Sequence, residues 1–249
     1  MLLVLLVVRY AFRYAASVTS PSVSIILFAF NEAENIGPVL GELRSWLDAH
    51  EPSAELVFVD DGSRDGTLAA AEAALAGARA KFTRHESNRG IGAAIKTGVT
   101  LCEAPWVTFL PADGQIEPAA IATLLQAGRS QAADVVFSSY ADRDDGTHRK
   151  VLSFGVRAIT FAVHGVWMVC EGPYLFRREL FIPEQLPPDT FFLNFEFPIR
   201  MLIAKKKIAH VVIHCRRRRA GVSKSTGLSR IAGVARDLID LRVRRFLGR

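Results

Sequence analysis

The sequence predicts an α/β fold with a mostly parallel central sheet and helices on both faces. Three observations lead there. Short apolar runs alternate with stretches of helical period along the first half of the 249 residues, the pattern of repeated βαβ units. Half the residues are hydrophobic, enough to bury a sizeable core. Glycine and proline, at 18 and 11 residues, stand near their average share, which excludes collagen-like and low-complexity chains.

The elements follow in order. Residues 23–30 (VSIILFAF) read as a buried strand. A helix is expected from Asn31, with Glu34 completing a capping box and Ile36, Leu40, Leu43 and Leu47 forming one apolar stripe. Residues 54–59 form a second strand that ends at Asp60-Asp61-Gly62-Ser63, and residues 67–76 a helix that Gly77 stops. Residues 79–84 are a short third strand, 90–102 a helix, 106–110 a strand, 117–128 a helix and 134–138 a strand. The apolar stretch 151–170 is interrupted by Arg157 and His164 and weakened by Gly155 and Gly165, so it reads as a buried or interfacial helix rather than a span. A late strand covers 208–214. A helix from Leu228 to about Phe246 carries Leu228, Ile231, Ala235, Leu238 and Ile239 on one face, with Arg230, Arg236 and Arg244 off it. The division expected is an apolar N-terminal segment (1–20), a catalytic domain (21–226) and a basic amphipathic helix (227–249).

Composition bounds the chemistry. Cys102, Cys170 and Cys215 lie far apart, which excludes a disulfide framework or a paired-cysteine metal site and suits a reducing compartment. The net charge is +6, but residues 205–249 hold 14 Lys and Arg against Asp237 and Asp240, leaving an acidic remainder. An acidic body with a basic tail points to an anionic partner. Without a nucleic-acid motif or interleaved aromatics, no nucleic acid is expected; an anionic membrane surface fits the amphipathic tail. Residues 1–8 are apolar but too few to cross a bilayer, and they lack the pattern of a cleaved leader.

In parallel sheets, ligands sit at the carboxyl ends of the strands. Here those ends carry Asn31-Glu32, then Asp60, Asp61, Ser63 and Asp65, then Asp113 and Gln115. Such carboxylates can hold Mg²⁺ or Mn²⁺ on a diphosphate or accept hydrogen bonds from a ribose or base, although Asp65 alone reads best as a helix cap. Residues 88–94 (NRGIGAA) open a helix with small side chains, so a ligand or another backbone can approach closely. No dinucleotide, P-loop, serine-hydrolase or zinc-protease signature is present.

At these residues the sequence resembles the inverting glycosyltransferases of family 2, most closely the polyprenyl-phosphate (dolichol-phosphate mannose synthase-like) branch. The resemblance covers roughly residues 23–224. It rests on Phe28-Ala29-Phe30-Asn31-Glu32, on the V-D-D-G-S-x-D-x-T signature at 59–67, on N-x-G-x-G-A-A-x-x-x-G at 88–98, on Pro111-Ala112-Asp113-Gly114-Gln115, and on R-x-x-G-x-S-K at 218–224. It implies the GT-A (nucleotide-diphospho-sugar transferase) fold, a nucleotide-diphosphate sugar donor and Mg²⁺ or Mn²⁺. Phe28, Phe30, Glu32, Val59 and Asp61 would border the base and ribose. Ala112, Asp113 and Gln115 would lie at the diphosphate, with Asp113 and Gln115 at the metal. Arg218 and Lys224 would hold phosphates.

This sequence departs from the family's pattern at three points. Pro111 stands where the family has a first Asp, Phe28 replaces Pro, and Tyr140 replaces Arg. A hydroxyl acceptor needs a general base, whereas a lipid monophosphate is already anionic. Glu171 is the candidate base and Glu196 a second acid; either could instead make a structural salt bridge. The function expected is inverting transfer of one sugar to a polyprenyl phosphate by a peripheral protein at the cytoplasmic face of a membrane. The alternatives are a glycan or small-molecule hydroxyl acceptor, or a catalytically weak nucleotide-sugar-binding homologue.

Overall fold

The apolar runs become neighbours in one seven-stranded sheet. A computed structural model describes residues 20–141, 147–187, 189–216 and 228–247, without the side chains of 147–152 and 228–232. β1 (Val23–Ala29), β2 (Glu55–Asp60), β3 (Ala80–Arg84) and β4 (Trp106–Pro111) are followed by β5 (Val135–Tyr140), β6 (Leu175–Arg177) and β7 (Ile208–Ile213). The spatial order is β3-β2-β1-β4-β6-β5-β7. β6 alone runs against its neighbours β4 and β5, while β5 pairs parallel with β7.

The helices are α1 (Ala33–His50), α2 (Thr67–Ala74), α3 (Ile91–Leu101), α4 (Ala119–Ser130), α5 (Thr147–His164), α6 (Leu193–Ile203) and α7 (Leu228–Phe246). They cover both faces, as expected. Val23, Ile25, Leu27 and Ala29 of β1 pack with α1, α2 and α4 on one face. Ile26, Val57 and Val107 pack with α3 and α6 on the other. A third cluster joins Met168, Phe192 and Ile199 to Leu238 and Leu241 of α7.

Two expectations are corrected. Asn31 does not cap α1 with Glu34: its φ is +52°, and the helix begins two residues later with no side-chain cap from Glu32. On α7, Leu238 is buried as expected, but Ile239 faces solvent, and Leu241 completes the buried side with Val234 beside it. Arg244 does not stand free of the protein, because it reaches back to Glu196.

Candidate active site

Parallel register assembles the site edge. Phe28 pairs with Val59 on one side and Pro111 on the other. The ends of β1, β2 and β4 therefore place Asn31-Glu32, Asp60-Asp61 and Ala112-Asp113 together. Because β6 runs the other way, its entry segment Glu171-Gly172-Pro173 comes to the same edge. There the N–H groups of Glu171 and Gly172 donate to Ser138 O of β5.

The acidic loop after β2 is spent largely on scaffolding. The first N–H groups of a helix have no intrahelical acceptor. In α1 the N–H of Ala33 donates to Asp65 Oδ2 at 3.2 Å, while just before the helix the N–H of Asn31 donates to Ser63 Oγ and that of Glu32 to Thr67 Oγ1, both at 2.9 Å. Asn31 Oδ1 accepts from the N–H of Arg64 in return. Asp65 also accepts from the N–H of Thr67 at the start of α2, so its capping role serves two helices.

Asp61 is buried and fully engaged. Oδ1 accepts from the N–H of Arg89 at 2.9 Å and lies 2.7 Å from His85 Nδ1; Oδ2 accepts from the N–H of Gly90 at 2.8 Å. His85 Nε2 is 2.9 Å from Thr97 Oγ1. The carboxylate thus fixes the small-residue loop from beneath. From above, Asp189 clasps it through Arg89 and Lys96, both at 2.9 Å. Lys96 and then Arg89 hold the Asp189 carboxyl below its usual value. A Cβ at Gly92 would strike the backbone of Asp189 and Thr190, and one at Gly62 that of Ser87. The close approach read from these glycines is therefore made by backbone.

The remaining expected residues are placed as follows. Phe28 and Phe30 are half-buried at the end of β1, with the Phe28 ring 6.3 Å from that of Phe109. Val59 and Ala112 are buried in the core, so they can offer a ligand only backbone. Glu32 accepts from Asn35 Nδ2. Asp113 is half-buried and its Oδ1 accepts from the N–H of Gln115 at 3.1 Å. Gln115 O in turn accepts from the N–H of Arg216. Arg216 bridges Glu42 and Glu117 at 2.6 and 2.7 Å, anchoring the chain just before residue 217. Arg218 and Lys224 lie outside the described residues, as do residues 1–8.

Neither candidate base stands alone. The Glu171 carboxylate is taken up by Arg157 of α5. Glu196 is fully buried and bound by Arg200 and, through both oxygens, by Arg244 at 2.9 Å. The structural alternative named for these acids is the arrangement observed. Sequence reasoning missed His85, Asp189 and the inward role of Arg244. No local signal marks Asp189, whose partners are about a hundred residues away in the chain.

Among the described residues, no three His, Cys, Asp or Glu side chains gather as a metal cage. Between β4 and α4 the carboxylates are Asp113 and Glu117, and Glu117 is paired with Arg216, which points to Asp113 as the ligand. That donor set still fits a hard cation shared with a diphosphate, since Mg²⁺ commonly takes one or two carboxylates and fills its shell with phosphate oxygens and water.

The model of glycosyl transferase family 2 matches residues 24–227. The chain belongs to glycosyl transferase family 2. This family 2 chain is 30% identical over 151 residues to a dolichol-phosphate mannosyltransferase of Mycosarcoma maydis, covering 57% of this chain and 51% of that one. It is 24% identical to a dodecaprenyl-phosphate galacturonate synthase of Rhizobium johnstonii, covering 90% of this chain and 67% of the relative. The match thus spans about half to two thirds of the length of these relatives. Glucosyl-3-phosphoglycerate synthase of Mycobacterium tuberculosis, solved with Mn²⁺, uridine-diphosphate-glucose and phosphoglyceric acid, superposes with a TM-score of 0.66 at 22% identity, covering 93% of this chain and 81% of that one. The family 2 chain shares its GT-A fold.

Proposed function

We propose that the chain is an inverting glycosyltransferase that moves one sugar from a nucleotide-diphosphate sugar to a polyprenyl phosphate, working as a peripheral protein at the cytoplasmic face of a membrane. The observation that carries the acceptor class is the engagement of both candidate bases: Glu171 is paired with Arg157 and Glu196 with Arg200 and Arg244. A hydroxyl would need one of them to take its proton. A phosphate monoester needs none, because it is already an anion at neutral pH. The names of the two relatives, both lipid-phosphate sugar enzymes, support the same choice. Among the described residues, no helix is long and apolar enough to cross a membrane, so contact with the lipid is assigned to the surface.

In this reading an acceptor phosphate oxygen attacks the anomeric carbon. The bond from that carbon to the diphosphate breaks, and the diphosphate leaves with the electron pair. Phe28 and Phe30 border the base, and the backbone at Val59 and Ala112 lines the pocket. Asp61 acts through the Arg89-Gly90 loop that it fixes. Asp113, with Gln115 beside it, would hold Mg²⁺ or Mn²⁺, which supplies charge neutralisation for the departing diphosphate. Arg218 and Lys224 would add fixed positive charge there.

A panel of nucleotide sugars, incubated with Mg²⁺ or Mn²⁺ and undecaprenyl or dolichyl phosphate and scored for labelled lipid, tests the proposal. Labelled lipid that disappears on chelation is expected. Label found only on glycans or small hydroxyl compounds would refute it.

A further inference from the structure

Burial usually removes large aromatics from water, yet one end of α5 does the reverse. Phe154 and Phe161 lie seven residues apart on one helix face and are 61% and 55% exposed. Trp167, just past the helix, is 45% exposed and packs against both, with ring centroids 5.7 and 6.3 Å away. Single exposed apolar residues are ordinary, but a clustered aromatic patch marks a contact surface. Tryptophan in such a patch suits a boundary between apolar and wet media.

The helix packed beside α5 repeats the pattern. α7 turns Leu238 and Leu241 inward, and His164 Nε2 of α5 sits 3.0 Å from Leu238 O. Its opposite side shows Ile239, Val243 and Phe246, the last 89% exposed, at i, i+4 and i+7. Arg236 and Arg242 flank that stripe and are exposed. One helix therefore has two apolar faces, of which the protein covers one. A solvent-facing stripe edged by arginine is the composition of a helix lying in a lipid interface. The patch also adjoins the site, because Trp167 precedes Glu171 by only four residues and Glu171 is bonded to the end of β5.

We infer that Phe154, Phe161 and Trp167, together with the outer stripe of α7, seat the chain on an anionic phospholipid bilayer and bring the site edge to the headgroup level. The occupant follows from charge: the residues after 204 carry 14 Lys and Arg against two acids, which an anionic surface complements and a neutral apolar partner does not. The inference rests on the lipid-phosphate reading of the site, because that reading requires the acceptor to be reached from a membrane.

The test is flotation of the full chain with vesicles of phosphatidylglycerol and phosphatidylcholine, at low and high salt. The wild type should bind in proportion to phosphatidylglycerol, and salt should weaken binding. The variant Phe154→Ser/Phe161→Ser/Trp167→Ser should bind at least about tenfold more weakly, with an unchanged circular dichroism spectrum. As a second measurement that needs no polar substitution, brominated lipid should quench tryptophan fluorescence in the wild type and not in Trp167→Phe. Equal flotation of wild type and triple variant, or equal quenching of wild type and Trp167→Phe, would overturn the inference. So would a wild type that ignores vesicles and instead self-associates through Phe154. Vesicle binding that the triple variant loses supports the seat even if no lipid phosphate is glycosylated, and that second result would fault only the acceptor assignment.

Discussion

The loop after β2 and the α5–α7 pair invert the usual placement of residues in opposite senses. In the loop, polar side chains hold backbone: buried Ser63 and Thr67 take the N–H groups just before α1, exposed Asp65 takes the first N–H of α1, and buried Asp61 holds Arg89 and Gly90. In the helix pair, apolar side chains point outward, at Phe154, Phe161, Ile239 and Phe246. The contrast separates two kinds of functional residue. An acidic motif near a ligand edge can serve chiefly by making a scaffold rigid, since each buried oxygen must find a donor. An apolar stripe can serve by remaining uncovered.

The comparison is broken most severely where the helix pair borrows the loop's device. Glu196 is a buried carboxylate that pins α7 to α6 through Arg244 and Arg200. Glu196→Ala removes the carboxylate that Arg200 and Arg244 share, leaving Arg244 with the exposed Asp240, and should cost about 4 kcal/mol. Equilibrium unfolding in urea measures this, and limited proteolysis should show α7 released first. A loss below about 1 kcal/mol would place the pair with ordinary surface ion pairs.

Next in size is the loop itself. Asp61→Ala strands the N–H groups of Arg89 and Gly90 and the ring of His85, with an expected cost of about 3 kcal/mol. It should also weaken nucleotide-diphosphate binding by calorimetry, because the loop loses its support from beneath. Full retention of stability would mean that Asp61 is kept for the ligand alone.

The smallest effect sharpens the α5–α7 side. Burial, with the Arg245 guanidinium nearby, holds the His164 pKa below the ordinary histidine value of about 6.5. The folded state therefore takes up a proton less readily than the unfolded one. Stability from neutral His164 is fully present above 6.5 and is lost as pH falls below it. The thermal midpoint should drop between about pH 7 and pH 5, and His164→Gln should flatten that part of the profile.

How much of this was legible in the sequence depends on how local each cause is. The strands were readable because residues 23–29 and 55–60 are buried along almost their whole length and so carry continuous apolar runs. The bounds of α7 matched for a similar reason, since its period is strong over five turns. The start of α1 was misread because the side chains that hold residues 31–33, Ser63, Thr67 and Asp65, lie more than thirty residues downstream. A local rule for capping has no access to such partners. The site edge was legible because strand ends in a parallel sheet share one side. What each side chain does there was less so: Val59 turned into core, and Asp61 into a clamp whose other jaw, Asp189, has no signature of its own.

The central claim is that the acceptor arrives as an anion and needs no protein base. Initial rates at saturating donor, with the lipid phosphate found by the panel, address it directly in three variants. Arg218→Ala and Lys224→Ala should each lower turnover by at least about tenfold, equivalent to roughly 1.4 kcal/mol of transition-state stabilisation. Glu171→Gln should have the smaller effect, in keeping with its pairing to Arg157. If Glu171→Gln eliminates turnover while Arg218→Ala barely changes it, the lipid-phosphate account is contradicted and a hydroxyl acceptor takes its place.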